Sequence, residues 1–329
     1  MGLLIFNDKG IYCAQADVYI DPWRPVKKAL ITHGHADHSR SGHEDYLCSR
    51  EAAPAIQHRI PKARIQPIDF GSHIVENGVR FSFHPAGHIL GSAQIRVEYK
   101  GEVWVVSGDY KLEDDGVSGA YEVVPCEHFI TESTFGLPVY DWEEQDAVYR
   151  QIRNWWHGNA AEGRTSVICA YSLGKAQRLL HGISEGPGFF LTHGAVEALN
   201  EVYRQQGISL PASISAAQVK DKETLGRALV ICPPAAVGTP WFKRFVRPAV
   251  AMASGWMSIR GQKKRGGMDR GFVISDHADW KGLNQAVEAS GAAHVYVTHG
   301  FTDVFARYLR EEKGLNAQTV RTLFEGETE

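Results

Sequence analysis

The chain is short of the features that would fix its class at a glance. It holds five cysteines in 329 residues, Cys13, Cys48, Cys126, Cys169 and Cys232. They are odd in number, scattered and never spaced as CxxC, which excludes a disulfide framework and a cysteine zinc knuckle and leaves reduced core thiols. Any bound metal must therefore be held by histidine and carboxylate. No apolar run approaches membrane-spanning length. The opening MGLLIFNDKG lacks the basic flank, long apolar stretch and cleavage site of a signal peptide, and Phe6 stands where myristoylation asks for Ser or Thr. The expectation is a cytoplasmic protein with no membrane partner. Internal repeats and low-complexity segments are also missing, and the net charge of −3 announces no polyanionic partner.

The charge distribution says more than its sum. Residues 141–271 carry 17 Lys+Arg against 11 Asp+Glu, or +6, which leaves −9 for the remainder. A basic region beside an acidic remainder is the asymmetry expected where a polyanion is gripped by one part and cut by another. The length suggests about two domains. In the first 135 residues short β-runs alternate with Gly, Pro and Asp: VKKALIT, VRFSFHPAGH, AQIRVEYKG, EVWVVSGDY and HFITEST. From Asp141 the pattern becomes alternating helix and strand, with VYRQIRNWWHG, SVICAYS, GKAQRLLHGI and AVEALNEVYRQQG. After residue 271 β-runs return, GFVISDHADW and AHVYVTHGF, around the helix WKGLNQAVEAS. The predicted architecture is α/β, with one domain built from 1–140 and 272–329 and a second, α/β domain of residues 141–271 inserted into it.

Chemistry concentrates in ITHGHADHS. His33 and His35 are two apart in an extended loop, so both rings can point to one side, while Asp37 and His38 are expected at the entry of a following helix. Two subsites arise, His33 with His35 and Asp37 with His38. His88 in PAGHILGSA and Asp109 in VVSGDY each follow a β-run beside glycines and supply what the first cluster lacks, with Asp109 able to lend one oxygen to each of two metals.

The order Asp17, HGHADH, His88, Asp109 resembles the metallo-β-lactamase superfamily, whose hydrolases mount a metal pair on an αββα sandwich. The resemblance makes Asp17 the aspartate that orients ligands from behind, with Asp21 the weaker candidate for that role. Glu132 in TESTFG, His277 in ISDHADW and His299 in VTHGF resemble three signature positions of the β-CASP branch, the nucleic-acid-processing nucleases that include Artemis and carry an inserted cap domain. In the insertion, AYSLGKAQRLL and MASGWM resemble the branch's strand-to-helix element and Ser-Gly turn. Ser172, Lys175, Ser254 and Gly255 are thus phosphate candidates, and the run Arg260, Lys263, Lys264, Arg265 a candidate track for a nucleic-acid backbone. The whole pattern is most similar to the bacterial ligase-associated DNA exonucleases, which implies DNA as substrate and a DNA ligase and a helicase as partners.

That resemblance implies a two-metal phosphodiesterase acting in DNA repair, single-strand preferring and directed to 5′ ends. One metal is assigned to His33, His35, His88 and Asp109, the other to Asp37, His38, Asp109 and His299. Zinc is the first choice for so histidine-rich a set, with manganese as the alternative. His277, oriented by Glu132, would protonate the leaving 3′-oxygen. One departure keeps an RNA-processing enzyme open: histidine at position 299 is typical of the branch's RNA members, although Phe301 stands where those commonly carry an acid. A thioester or lactam hydrolase would share the cage but needs neither the inserted basic domain nor Glu132 and His277. His193, in a second Thr-His-Gly triplet, is read as structural or substrate-contacting, and His43, His73 and His84 as non-ligands.

Overall fold

The structure, a computed structural model, describes residues 2–259 and 268–323. It divides into two compact units, Met1–Tyr140 with Asp276–Glu329, and Asp141–Ser275. In the first unit β1 (Leu4–Phe6), β2 (Ile11–Cys13), β3 (Val18–Ile20), β4 (Lys28–Leu30), β5 (Asp45–Ser49) and β6 (Ile65–Ile68) lie side by side in chain order. Pairing turns from antiparallel to parallel at β3–β4. The parallel step from β5 to β6 needs a crossover, supplied by α1 (Ala53–Arg59), which opens with a proline in its first turn and ends on His58 and Arg59.

The second sheet starts as a meander of β7 (His73–Glu76), β8 (Val79–Pro85), β9 (Ala93–Tyr99) and β10 (Glu102–Val106), joined in parallel by β11 (His128–Ser133). Asn77-Gly78 and Lys100-Gly101 make its two hairpin turns, all four residues having the positive φ that two-residue hairpins require.

The chain then enters the second unit: α2 (Gln145–Ala161), β12 (Ser166–Cys169), α3 (Lys175–Ile183), β13 (Phe190–Thr192), α4 (Gly194–Gln205), β14 (Ser213–Ser215), α5 (Lys222–Arg227), β15 (Leu229–Cys232), β16 (Ala249–Ala253) and β17 (Arg270–Phe272). Its sheet is parallel throughout, in the order β14-β13-β15-β12-β16-β17. SVIC and LVIC are buried along their whole length because apolar clusters cover both faces. The unit runs to Ser275 rather than to 271: β17 pairs with β16, and Phe272 and Ile274 are buried in this unit's core, so GFVISDHADW divides between the units.

Back in the first unit, α6 (Trp280–Ser290), β18 (His294–Gly300), α7 (Thr302–Glu311) and β19 (Asn316–Thr319) complete the second sheet as β19-β18-β11-β10-β9-β8-β7. Strand alternation builds the layers. In β8, Val79, Phe81 and Phe83 are fully buried against residues of the first sheet, including Ile20, Leu30 and Leu47. Val105, Phe129, Val295 and Val297 face the other way, onto Leu283 and Val287 of α6 and Phe305 and Leu309 of α7. Ile56 of α1 covers Ala29 and Tyr46 on the outer side of the first sheet. The layers therefore run helix, sheet, sheet, helix. Each such aliphatic or aromatic side chain is worth roughly 1.5–3 kcal/mol on burial. All five cysteines are free thiols, and no described helix is long and apolar enough to cross a membrane.

One buried group makes this core sensitive to acid. His43 is 8% exposed, accepts from the Val26 N–H through Nδ1 at 3.3 Å, and among the described residues its Nε2 has no partner. Burial pushes the imidazole down to about 4. The unfolded chain therefore takes up this proton at about pH 6.5, before the folded one does, so the stability owed to neutral His43 is present above that pH and is lost toward pH 4. In urea titrations the margin of the native sequence over His43→Asn, which keeps an acceptor for Val26, should shrink between pH 7.5 and pH 5. A margin that stays constant or grows on acidification contradicts this assignment.

Candidate metal centre

The site gathers where strands of the first unit end. The HGHADH segment follows β4, His88 follows β8, Asp109 follows β10, Glu132 lies near the end of β11, His299 near the end of β18, and His277 just before α6. Glycine makes one of these approaches possible. Gly108 has φ +57°, and a Cβ there would lie 2.7 Å from the Thr32 Cβ, so only glycine lets the Asp109 turn press against the segment carrying His33. His299 itself adopts φ 58°, a conformation uncommon for histidine, and the Ser133 hydroxyl donates to its carbonyl at 2.5 Å.

Among the described residues, three groups of side chains offer ligand atoms within 4.8 Å of one another: His33, His35, His88 and Asp109; Asp37, His38 and His299; and Asp109, Glu132 and His277. One oxygen, Oδ2 of Asp109, lies 3.6 Å from His33 Nε2, 3.4 Å from His38 Nε2 and 3.9 Å from His88 Nε2, so it faces rings of both of the first two groups. All seven residues expected around two metals are brought together. The helix expected to begin at Asp37 is not formed: residues 35–39 make a single turn closed by the Ser39 N–H on the His35 carbonyl at 2.9 Å, and the chain leaves through Ser41-Gly42.

Hydrogen bonds behind the rings fix their tautomers. His88 donates from Nδ1 to the Asp276 carbonyl at 2.9 Å, leaving the Nε2 lone pair facing His35 Nδ1 at 3.0 Å. Thr32 donates its hydroxyl to Asp21 Oδ2 at 2.5 Å, so that hydroxyl oxygen is the acceptor for His33 Nδ1 at 3.1 Å. His38 Nδ1 donates to the same Asp21 oxygen at 2.8 Å, and Asp21 Oδ1 accepts the Thr32 N–H at 2.8 Å. His33 and His88 are thus left with Nε2 as an inward lone pair, the form a metal ligand requires, and His38 turns its Nε2 toward Asp109 at 3.4 Å.

The carboxylate hydrogen-bonded behind these rings is thus Asp21, not the expected Asp17. Asp21 follows β3 at the end where the site's loops emerge, and its N–H bonds the Leu30 carbonyl, so it lies against the start of the histidine segment. Asp17 precedes β3, is exposed and accepts from the Tyr12 hydroxyl at 2.9 Å. Thr32 and the Asp276 carbonyl were not singled out from sequence. A hydroxyl directly before HGH is a usable signal, but a main-chain carbonyl leaves none.

The electrostatics suit cations. Burial, reinforced by His38, pushes His33 well below the usual imidazole range, and burial with His277 does the same to His88. Burial also opposes charge on His38, yet the Asp109 and Asp37 carboxylates hold it well above that range, a demand for positive charge at this point. Asp109 stays well below the usual carboxylate range despite its burial, chiefly through His38. Neutral His33 and His88 in one group and a carboxylate-rich second group fit a divalent pair.

Beside them His277 and Glu132, each 1% exposed, form a dyad with Nδ1–Oε distances of 3.0 and 2.8 Å. Glu132 also accepts from the Tyr110 N–H at 2.8 Å and the Thr134 hydroxyl at 2.5 Å, so its carboxylate is anchored on both oxygens.

The remaining candidates lie in the second unit. Ser172 and Lys175 follow β12, and Ser254 and Gly255 follow its neighbour β16, so both turns leave the same edge of that sheet. Lys175 is fully buried with its ammonium 4.4 Å from the Tyr171 ring centre, and the Ser254 side chain accepts from the Trp256 N–H at 3.3 Å. Arg260, Lys263, Lys264 and Arg265 lie outside the described residues. His193 caps α4, accepting from the Ala195 N–H; His84 bridges Ser82 and Glu122; His73 is exposed.

Loss of an orienting group of this kind weakens metal affinity about 10–100-fold. Asp21→Asn should do so in a competition titration against a chromogenic chelator, while Asp17→Asn should bind as the native chain does. The reverse order would return the role to Asp17.

No family model matches the chain. Over 317 residues it is 33% identical to a probable DNA ligase of Opitutus terrae, spanning 94% of this chain and 30% of that protein. Over 119 residues it is 31% identical to endoribonuclease YSH1 of Eremothecium gossypii and 32% identical to cleavage and polyadenylation specificity factor subunit 3-I of Arabidopsis thaliana, in each case 36% of this chain and 15% and 17% of those proteins. The chain spans less than a third of the length of these curated relatives. Among solved structures it is similar to a protein of unknown function from Enterococcus faecalis V583, at 12% identity, TM-score 0.58, and coverage of 82% of this chain and 74% of the other, a likeness of fold.

Proposed function

We propose that the chain is a metal-dependent nuclease of the β-CASP branch, a DNA exonuclease acting from 5′ ends with a preference for single strands, in DNA repair. On this reading its layered unit is the metallo-β-lactamase sandwich and Asp141–Ser275 the inserted cap. The observation that carries it is the meeting of His33, His35, His88, Asp37, His38 and His299 about one shared carboxylate, Asp109, with the Glu132–His277 dyad alongside. Relatives named DNA ligase and endoribonuclease support nucleic acid as the substrate class. The ligase name also supports partnership with a DNA ligase; a helicase partner and a cytoplasmic location rest on the resemblance alone.

His33, His35, His88 and Asp109 would hold one cation and Asp37, His38, Asp109 and His299 the other, zinc by ligand type and manganese as the alternative. Such a pair, when bound, supplies Lewis acidity and neutralises the charge that develops on a phosphodiester during attack by water. The chain itself supplies the proton. Glu132 holds His277 through Nδ1, which keeps the ring oriented and favours its charged form, so Nε2–H can protonate the leaving 3′-oxygen. Asp21 and Thr32 keep His38 and His33 in register while this occurs. RNA remains the second reading, favoured by the endoribonuclease relatives and by His299 in the second group.

End-labelled single- and double-stranded DNA and RNA of one sequence, digested by the native chain and by Asp37→Ala, give the substrate and polarity: a ladder from the 5′ end of single-stranded DNA, lost in the variant, is expected. His277→Ala should lose about 10²–10⁴-fold on DNA but far less on bis-p-nitrophenyl phosphate, whose leaving group departs without a proton. Equal losses on both would remove His277 from the role of acid. Cleavage of a lactam or thioester substrate with none of nucleic acid would sink the nuclease reading.

A further inference from the structure

We infer that Arg59, at the end of α1, is a positioning residue that holds the HGHADH turn in its ligating shape. The inference rests on the metal-centre reading above. The turn sends His33 and His35 to one group and Asp37 and His38 to the other, so its carbonyls must face away from the site. Gly34 and Ser39 are buried, and their carbonyls need donors. Arg59 provides them from 20 to 25 residues away in sequence. Its Nε donates to the Gly34 carbonyl at 3.2 Å, and one Nη2 donates to the His35 carbonyl at 3.4 Å and to both the carbonyl and the hydroxyl of Ser39.

Among the described residues no other donor reaches the Gly34 and Ser39 carbonyls. Arg40 adds only a long contact, Nε to the Asp37 carbonyl at 3.4 Å. A planar guanidinium with several fixed N–H directions can span acceptors at both ends of a six-residue turn; a lysine ammonium is a single point. Arg59 belongs to none of the apolar core clusters and is exposed as a whole residue, so its replacement removes little core.

Two accounts of Arg59 predict opposite signs. As a bare positive charge close to Asp37, it repels cations, and its removal would tighten metal binding. As a clamp on the turn, its removal lets ligands of both groups drift and weakens binding, by the roughly 10–100-fold typical of groups that orient ligands.

The test is a zinc titration of the chelator-stripped full chain and of Arg59→Met and Arg59→Lys, with a cobalt absorption spectrum of each. Weaker zinc binding in Arg59→Met, an intermediate Arg59→Lys, and an altered cobalt spectrum at saturation are expected. Recovery of affinity by Arg59→Ala in millimolar methylguanidinium would mark the guanidinium itself as the agent. Binding in Arg59→Met as tight as in the native chain, or tighter, overturns the proposal; if Arg59→Met does not fold, the same comparison in Arg59→Lys decides it. Failure of the native chain to bind zinc or cobalt would overturn the metal-centre reading as well, a distinct result.

Discussion

Everything in the site depends on one buried carboxylate. Asp109 is 5% exposed and presents a single oxygen to imidazoles of two ligand groups. Burying a carboxylate is costly unless positive charge compensates it. In this structure the compensation comes partly from His38, drawn toward its charged form by Asp109 and Asp37. A carboxylate placed between neutral, tautomer-locked imidazoles and a ring compelled to carry charge is a position that two divalent ions would satisfy better than protons do.

The fold serves that demand by placing strand ends. In the first sheet the polarity of β3 decides between two aspartates four residues apart: the one after the strand joins the site, the one before it stays at the surface. In the second sheet parallel pairing of β10, β11 and β18 brings Asp109, Glu132 and His299 to one edge. Packing of the two sheets through Leu30, Phe83 and Val106 then fixes that edge against the histidine turn. The layers are what allow side chains from positions 33 to 299 to gather in groups whose ligand atoms lie within 4.8 Å of one another.

Much of this was legible because the chemistry demands scarce residue types. HGHADH, His88 and Asp109 stand out as a ligand set before any coordinates, and Glu132, His277 and His299 by resemblance. The change from β-runs to alternating helix and strand at Asp141 is equally plain. What could not be read is geometric. Choosing Asp21 over Asp17 needs the direction of β3. The end of the insertion at Ser275 needs the pairing of Arg270–Phe272 with β16, since GFVIS reads as a strand for either unit. The turn at Asp37 has helix-like spacing but closes after one loop, and its carbonyl partners lie on α1, beyond any local pattern.

The most direct test of the shared carboxylate is metal stoichiometry by elemental analysis of the dialysed protein, in the native chain and in Asp109→Ala and His299→Ala. If Asp109 joins two sites, the native chain carries two divalent ions, His299→Ala keeps one, and Asp109→Ala loses both. Retention of two ions by Asp109→Ala, or their absence from the native chain, would contradict the account.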